Sequence, residues 1–374
     1  MLNKFRILFL LLGLLAHAQN QGPWNSPLRM AWSIDGISFG PSSIFQDSSG
    51  VPSLIRWKGD TLITAFQWFR QPNPSPSWDR VAVKFSYDKG ITWTEPVPIV
   101  IPDLPAQHQR PFDPTLVKLG GDSIRIYFSS SVGMPMPGGD SIINTYSAVS
   151  IDGIHYSFEP GARVDVSDKK VIDPAVIRFN NLWHFTAPIG APQDGAYHFI
   201  SNDGLNFNRV SDIGSDNQHN WTGNLMVENG TEIRFYGAGS SLWYNRSSDA
   251  GVWQGYTPLN LQGGDPSVLK IEDSNYLIVF VGPPYAISTH PDFQAQDFSV
   301  YPNPVNQKLT LGFESFTPGY TWHLYNSQGQ QVMVQEICSA KAVVEVSELS
   351  RGLYIWVLQN DKLILSTGKL VLEN

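Results

Sequence analysis

A short strand motif recurs five times along this 374-residue chain and limits the folds open to it. The copies begin at Val51, Asp113, Asp173, Thr222 and Asp265, at spacings of 62, 60, 49 and 43 residues. Four of them read Asp-Pro or Val-Pro before apolar residues, and each copy precedes a second apolar stretch. A period of this size is typical of the four-stranded blades of a β-propeller.

A second repeat marks the turn between the later strands of each unit. Ser and Asp, separated by one residue, come shortly before Gly in residues 33–36, 86–90, 150–153 and 201–204. Asp bonds to turn amides and Gly adopts a positive φ, so this pattern predicts a hairpin turn. We therefore expect five blades of four antiparallel strands, with the N-terminal hairpin at 28–45 completing the last blade. Residues 286–293 also resemble a third strand of a blade, so an incomplete sixth blade is the alternative.

Composition supports an all-β fold and excludes other classes. Charged residues make up 16% of the chain, against roughly 25% in an average soluble domain. The chain also holds 32 Gly, 27 Pro and 12 Trp, which disfavours coiled coils, helical bundles and disordered tails. A formal charge of −8 without a Lys/Arg cluster argues against nucleic acid as a partner. The single Cys338 excludes an internal disulfide and is expected to fill an apolar position.

The two ends of the chain differ from its middle. Lys4 and Arg6 precede a short apolar run and the small-x-small sequence Ala-His-Ala at 16–18, which predicts a signal peptide over residues 1–18. No second hydrophobic span follows, so the propeller domain is expected at 19–297 without a transmembrane segment. From Phe298 onward, alternating strands with Gly turns predict a small β-sandwich over residues 298–374.

Both domains resemble known families. Residues 86–93 resemble the Asp-box of sialidases and related propellers, and the Asp-Pro strand openings resemble those of five-bladed glycosidases acting on arabinans, xylans and fructans. The tail motifs at 301–305, 324–329, 351–354 and 369–371 closely resemble the type A C-terminal sorting domain read by the type IX secretion machinery of certain Gram-negative bacteria. This resemblance implies Sec export, passage of the outer membrane, and a secreted or cell-surface protein whose residues 298–374 contact the machinery.

Three carboxylates are the candidate catalytic groups. We letter the four strands of a blade A to D in chain order. The long loops between strands B and C, and between strand D and the next strand A, gather on the face where the inner strands begin. Asp113, Asp173 and Asp265 are expected to ring the axial opening there. Glycoside hydrolysis typically needs two carboxyl groups in different protonation states, and closely spaced like charges separate their pKa values. The alternative is that each Asp caps backbone amides at the start of its strand.

Further side chains on the same face are candidates for substrate binding. They are His108, Arg110, His219, Trp221, Trp68 and Trp78. No His/Cys cluster, phosphate-binding loop or dinucleotide fingerprint appears, so no cofactor is expected. The sequence leaves open whether aspartates in the channel hold a structural calcium ion.

The sequence also departs from the glycosidase and sialidase patterns. Val51 replaces the first-blade Asp, and no match to the Glu-Gly-Pro-like acid station is found. Arg110, Arg125 and Arg234 do not assemble into the arginine set that the sialidase resemblance requires. Two functions therefore remain: a glycoside hydrolase-like protein acting on or binding extracellular glycans, or a non-catalytic secreted or cell-surface propeller that binds glycan or protein.

Overall fold

The computed structural model describes most of the chain, in two compact units, Met1–Ala286 and Ile287–Asn374. The described residues are 26–70, 79–133, 143–283, 298–313, 316, 319–326, 330–359 and 364–373. The predicted signal peptide, Trp78 and residues 286–293 lie outside them. The proposed domain boundaries after residues 18 and 297 stay predictions.

Four-stranded antiparallel sheets make up the first unit. The chain begins with the hairpin β1 (Leu28–Ser33) and β2 (Ser43–Gln46). The first sheet contains β3 (Ser49–Lys58), β4 (Thr61–Trp68), β5 (Arg80–Ser86) and β6 (Val97–Pro98). The second contains β7 (Phe112–Lys118), β8 (Ile124–Ser131), β9 (Ile143–Ser150) and β10 (Ser157–Val164). The third contains β11 (Ala175–Phe179), β12 (Leu182–Pro188), β13 (Ala196–Ser201) and β14 (Asn208–Arg209).

The remaining strands complete the fourth and fifth sheets. The fourth sheet contains β15 (His219–Asn229), β16 (Glu232–Gly239), β17 (Trp243–Ser247) and β18 (Thr257–Pro258). In the fifth, β19 (Gly264–Glu272) and β20 (Asn275–Val281) join the N-terminal hairpin in the order β19-β20-β1-β2. β20 pairs with β1 so that Leu28 lies opposite Val281. The first and last parts of the propeller chain therefore share one sheet, as the sequence predicts.

The innermost strands of the five sheets form a closed ring. β3 contacts β7, β7 contacts β11, β11 contacts β15, β15 contacts β19, and β19 contacts β3. Because each sheet is apolar on both faces, neighbouring sheets pack against each other: Ile63 and Ala65 of the first lie in one buried cluster with Ile126 and Phe128 of the second. The described part of the first unit is thus a β-propeller of four-stranded sheets, which confirms the predicted fold class.

Ser-x-Asp turns join the third and fourth strands of all five sheets. In the first copy the Ser33 hydroxyl accepts a hydrogen bond from the Gly36 N–H at 2.9 Å, and Asp35 Oδ1 accepts two further amides. The copy at Ser247 and Asp249 was not predicted from the sequence, because Ala250 stands in the glycine position with φ of 61°. Asp249 Oδ1 nevertheless accepts the N–H groups of Gly251 and Val252, both at 2.8 Å.

Replacing Asp249 with alanine is expected to lower the free energy of unfolding by about 1 kcal/mol, since two turn amides lose their acceptor. Urea unfolding followed by tryptophan fluorescence measures the change. Asp273→Ala is the matched control, because the Asp273 side chain is fully exposed. Equal stability of the two variants would contradict a structural role for this turn.

The second unit is a small β-sandwich. One sheet has the order β21-β22-β25, from β21 (Phe298–Tyr301), β22 (Lys308–Phe313) and β25 (Lys341–Glu345). The other has the order β24-β23-β26-β27, from β23 (Tyr320–Tyr325), β24 (Gln331–Ile337), β26 (Gly352–Gln359) and β27 (Ile364–Leu372). Trp322, Leu324 and Leu370 are fully buried between the sheets. Cys338 is exposed, so the prediction that it fills an apolar position is wrong.

Candidate functional site

A β-bulge opens the inner strand of several sheets and determines where the aspartates lie. Pairing shifts between Phe112 and Thr115 in the second sheet and between Gly264 and Ser267 in the fifth. Asp113, Asp173 and Asp265 have φ values of 49°, 51° and 43°, in the left-handed region. Asp tolerates this conformation better than most residues. Val51 occupies the corresponding place in the first sheet at φ 47°, where a β-branched side chain is strained.

The three aspartates influence one another although they come from three different sheets. Removal from bulk water raises the pKa of Asp113 to about 7, and the charge of Asp265 adds to the increase. Burial raises the pKa of Asp173 well above its ordinary value, followed by the charges of Asp113 and Asp265. Burial also raises the pKa of Asp265. These three carboxyl groups are therefore close enough for their charges to interact.

One backbone hydrogen bond connects two of the aspartates. Asp113 Oδ2 accepts a hydrogen bond from the Asp173 N–H at 3.3 Å, a contact between neighbouring sheets. This bond favours the charged form of Asp113, whereas burial and the charges of Asp113 and Asp265 all raise the pKa of Asp173. The two carboxyl groups therefore have different environments: that of Asp113 favours the anion more strongly than that of Asp173.

Below the aspartates, polar side chains link the inner strands across the axis. The Ser53 hydroxyl accepts the Leu116 N–H at 2.8 Å, and the Ser267 hydroxyl accepts the Leu54 N–H at 3.0 Å. Asn224 of the fourth sheet donates to the Pro52 carbonyl of the first at 3.0 Å, which joins two sheets that are not neighbours. Farther along, a cavity of about 280 Å³ is lined by all five inner strands.

Asp79, which lies just before β5, was not predicted from the sequence as a site residue. Arg110 Nε donates to Asp79 Oδ2 at 2.8 Å, with a second contact from Arg110 Nη2, and Gln67 Nε2 donates to Oδ1. The charge of Asp79 contributes to the raised pKa of Asp113. No motif surrounds Asp79, and the only available signal was its position in a long loop on the aspartate face. Arg110, one of the predicted binding residues, pairs with Asp79, and the charge of Asp79 acts on Asp113.

His108 packs against two aromatic rings of the second sheet. Its ring contacts Tyr146 of β9 edge-on, with centroids 4.7 Å apart, and lies 5.6 Å from the ring of Phe158 in β10. Burial lowers the pKa of His108, so the ring is neutral near pH 7. These contacts place it against the outer strands of the second sheet, which is a packing position.

Two tryptophans and one further histidine also have packing positions. Trp68 and Trp221 are 9% and 1% exposed; Trp68 lies in a cluster with Leu28 and Phe66, and Trp221 contacts Phe235 and Trp243. The His219 ring stacks on Tyr256 at 3.8 Å and hydrogen-bonds to Asp216 at 2.7 Å. The sequence predicts all three as substrate-binding residues, and the structure places their rings against neighbouring side chains.

Arg125 and Arg234 hold neighbouring sheets together at the opposite face. Arg125 forms a two-point ion pair with Glu159, at 2.8 Å for each bond, and contacts the carbonyls of the Ser-x-Asp turn at residues 203–204. Arg234 similarly contacts the carbonyl of Asp35. Both arginines therefore connect neighbouring sheets, from equivalent positions in the strand repeat.

In the described residues, no group of three or more His, Cys, Asp or Glu side chains is arranged to hold a metal ion. Within the same part of the chain, no helix is long and apolar enough to cross a membrane.

The comparison with protein families identifies the tail. Residues 299–373 match the family described as a secretion system C-terminal sorting domain. This match confirms the predicted type IX sorting domain, and the protein is therefore exported to the cell surface or secreted. No curated protein matches the chain.

Solved structures similar to the chain include glycan-active proteins. A family-43 β-xylosidase/α-arabinofuranosidase from a compost microbial metagenome is 13% identical, with 62% of this chain and 84% of that chain covered and a TM-score of 0.46. The family-32 β-fructofuranosidase of Bombyx mori is 10% identical, with coverages of 93% and 82% and a TM-score of 0.46. An N-acetylgalactosamine deacetylase from F. plautii is 12% identical, with coverages of 86% and 94% and a TM-score of 0.41.

Proposed function

We propose that this exported propeller hydrolyses an extracellular glycan at the ring of Asp113, Asp173 and Asp265. The observation that carries the proposal is the convergence of three carboxyl groups from different sheets, with pKa values raised by burial and mutual repulsion. Aspartates that only capped their own strands would be stabilised as anions, with lowered pKa values. Raised values instead suit proton transfer near neutral pH. The resemblance of the Ser-x-Asp turns to Asp-boxes agrees with this class of protein.

The different environments of the two neighbouring carboxyl groups suggest their roles. Asp173, whose pKa is raised well above its ordinary value, is the proton donor to the glycosidic oxygen. Asp113, which accepts the Asp173 N–H, is the carboxylate that activates water. Because Asp113 must be ionised, hydrolysis should rise with pH through about 7.

A substrate screen tests this function. The full chain is incubated with aryl glycosides and natural polysaccharides, beside Asp113→Asn, Asp173→Asn and the control Asp273→Asn. Hydrolysis by the wild type and control, lost by about 10² to 10⁴-fold in both site variants, supports the assignment. Binding without turnover in all four proteins would establish the second function, a non-catalytic glycan-binding propeller. The valine at position 51, where three other sheets carry Asp, is the observation that favours that alternative.

A further inference from the structure

Asp79 is a fourth carboxylate next to the aspartate ring, and it comes from a different part of its sheet. The other three begin inner strands, whereas Asp79 lies at the end of the connection between β4 and β5. Its φ is 54°, a strained value for a residue other than glycine. Arg110 and Gln67 hold its two carboxylate oxygens. Asp79 therefore supplies a carboxylate from the first sheet, whose inner strand carries Val51 where three other sheets carry Asp.

The amide of Gln67 points to a ligand at this place. Gln67 is 4% exposed, and its Nε2 donates to Asp79. Its Oε1 is buried without a hydrogen-bond partner in the described part of the chain. A buried acceptor without a partner costs free energy, so such groups are normally satisfied by a ligand or water. A sugar hydroxyl that donates to Gln67 Oε1 would lie within reach of the Asp79 carboxylate.

The charges around Asp79 oppose an acidic ligand. Arg110 is paired with the Asp79 carboxylate, and Arg80 Nη1 donates to the Asp79 carbonyl at 3.1 Å. The charge of Asp79 already raises the pKa of Asp113, so these two carboxyl groups repel each other. A glycan that carries carboxylates would meet this repulsion, and it could engage Arg110 only by displacing Asp79. A neutral sugar instead supplies hydroxyl donors, which both the carboxylate and the Gln67 amide oxygen accept.

We infer that Asp79, held by Arg110 and Gln67, is a sugar-binding residue that makes the site select neutral glycans over acidic ones. This inference rests on the proposed function in one respect, that the aspartate face takes a glycan. It does not require turnover, so its test measures binding.

Affinity electrophoresis of the full chain tests the selection with matched polysaccharides. Galactan is paired with polygalacturonate, and xylan with glucuronoxylan. The wild type is expected to bind the neutral member of the recognised pair at least 10-fold more tightly. Asp79→Asn should bind the neutral polysaccharide more weakly. It should also reduce the ratio of neutral to acidic affinity by about 10-fold, since the Arg110 guanidinium loses its carboxylate partner. Arg110→Gln should increase the ratio of neutral to acidic affinity, because it removes a positive charge and keeps Asp79.

Each outcome separates this inference from the proposed hydrolysis. Equal or tighter binding of the acidic polysaccharides by the wild type overturns it, and so does an unchanged ratio in Asp79→Asn when circular dichroism shows a folded protein. Selective binding without turnover supports the inference and overturns only the hydrolysis. Turnover of a neutral glycan with full neutral binding by Asp79→Asn overturns only the role of Asp79. Binding of no polysaccharide in the panel overturns both.

Discussion

Asp113→Asn is expected to stabilise the propeller at pH 8 while it removes hydrolysis. The pKa of Asp113 rises from its ordinary 3.8 to about 7 in the folded protein. Between these values the folded state binds a proton that the unfolded state has released. Stability therefore falls as the pH rises from about 4 to 7, and above 7 the full cost of the buried charge is present. Asparagine has no charge to bury and keeps an acceptor for the Asp173 N–H.

The size of this effect follows from the same shift. Each pKa unit corresponds to about 1.4 kcal/mol, so a rise from 3.8 to about 7 sets an upper limit near 4 kcal/mol. Asp113 keeps partial access to solvent, which screens its charge, and we expect a gain of about 1–3 kcal/mol at pH 8. At pH 4 the wild type and Asp113→Asn should be nearly equal, since the carboxyl group is protonated in the folded state.

Urea unfolding at pH 4, 6 and 8, followed by tryptophan fluorescence, measures this difference. The fully exposed Asp273→Asn serves as the control and should follow the wild type at each pH. A gain in stability together with lost turnover would identify Asp113 as a residue kept for function at a cost in stability. A loss of stability at pH 8 in Asp113→Asn would show that the carboxylate holds the fold, as the capping alternative requires.

Gly204→Ala should be the most destabilising single-methyl change in the Ser-x-Asp turns. Gly204 has φ of 72°, and a Cβ there would lie 2.7 Å from Arg125 Nη1, 2.8 Å from Tyr127 Oη and 2.9 Å from Trp183 Cδ2. The Arg125 and Tyr127 side chains are buried and hydrogen-bonded, and the Trp183 ring is packed between sheets, so none of these atoms can move away without breaking contacts. Left-handed strain of about 1–2 kcal/mol adds to overpacking of about 1–3 kcal/mol, so we expect a loss of about 2–5 kcal/mol.

Gly59→Ala separates the two contributions. Gly59 has a similar φ of 55°, but nothing lies within 4 Å of its added Cβ. This variant should lose about 1 kcal/mol or less, because reduced freedom of the unfolded chain offsets part of the strain. Thermal unfolding of both variants gives the comparison. Equal losses would mean that the turn does not pack against the Arg125 and Trp183 side chains as closely as these distances indicate.

The fold could be predicted because its signals are periodic. The inner-strand motif at Asp113, Asp173 and Asp265 and the Ser-x-Asp turns repeat at blade spacing, and periodic burial requires periodic sequence. The turn at Ser247 was missed because Ala250 replaces the expected glycine. The tail could be predicted as well, since its motifs occur in a fixed order and the family comparison matches residues 299–373.

The site could be predicted only where it coincides with the repeat. The aspartates begin equivalent strands, so their convergence follows from symmetry. Asp79 belongs to the connection between β4 and β5 and has no place in the strand repeat, so its position follows from its contacts with Arg110 and Gln67. His108 and Trp221 lie on the predicted face in sequence, but side-chain direction is set by local backbone and aromatic neighbours, which loop position does not specify.

The pairing of β1 with β20 also has a consequence for the order of events during synthesis and export. Leu28 and Val281 lie opposite each other, so the ring is complete only when the chain from residue 28 to residue 281 is present. A chain that reaches its destination N-terminus first must hold its opening hairpin without a partner strand until nearly the whole propeller has arrived. The sorting domain follows this last strand in the chain. Ring closure therefore cannot precede the arrival of β20.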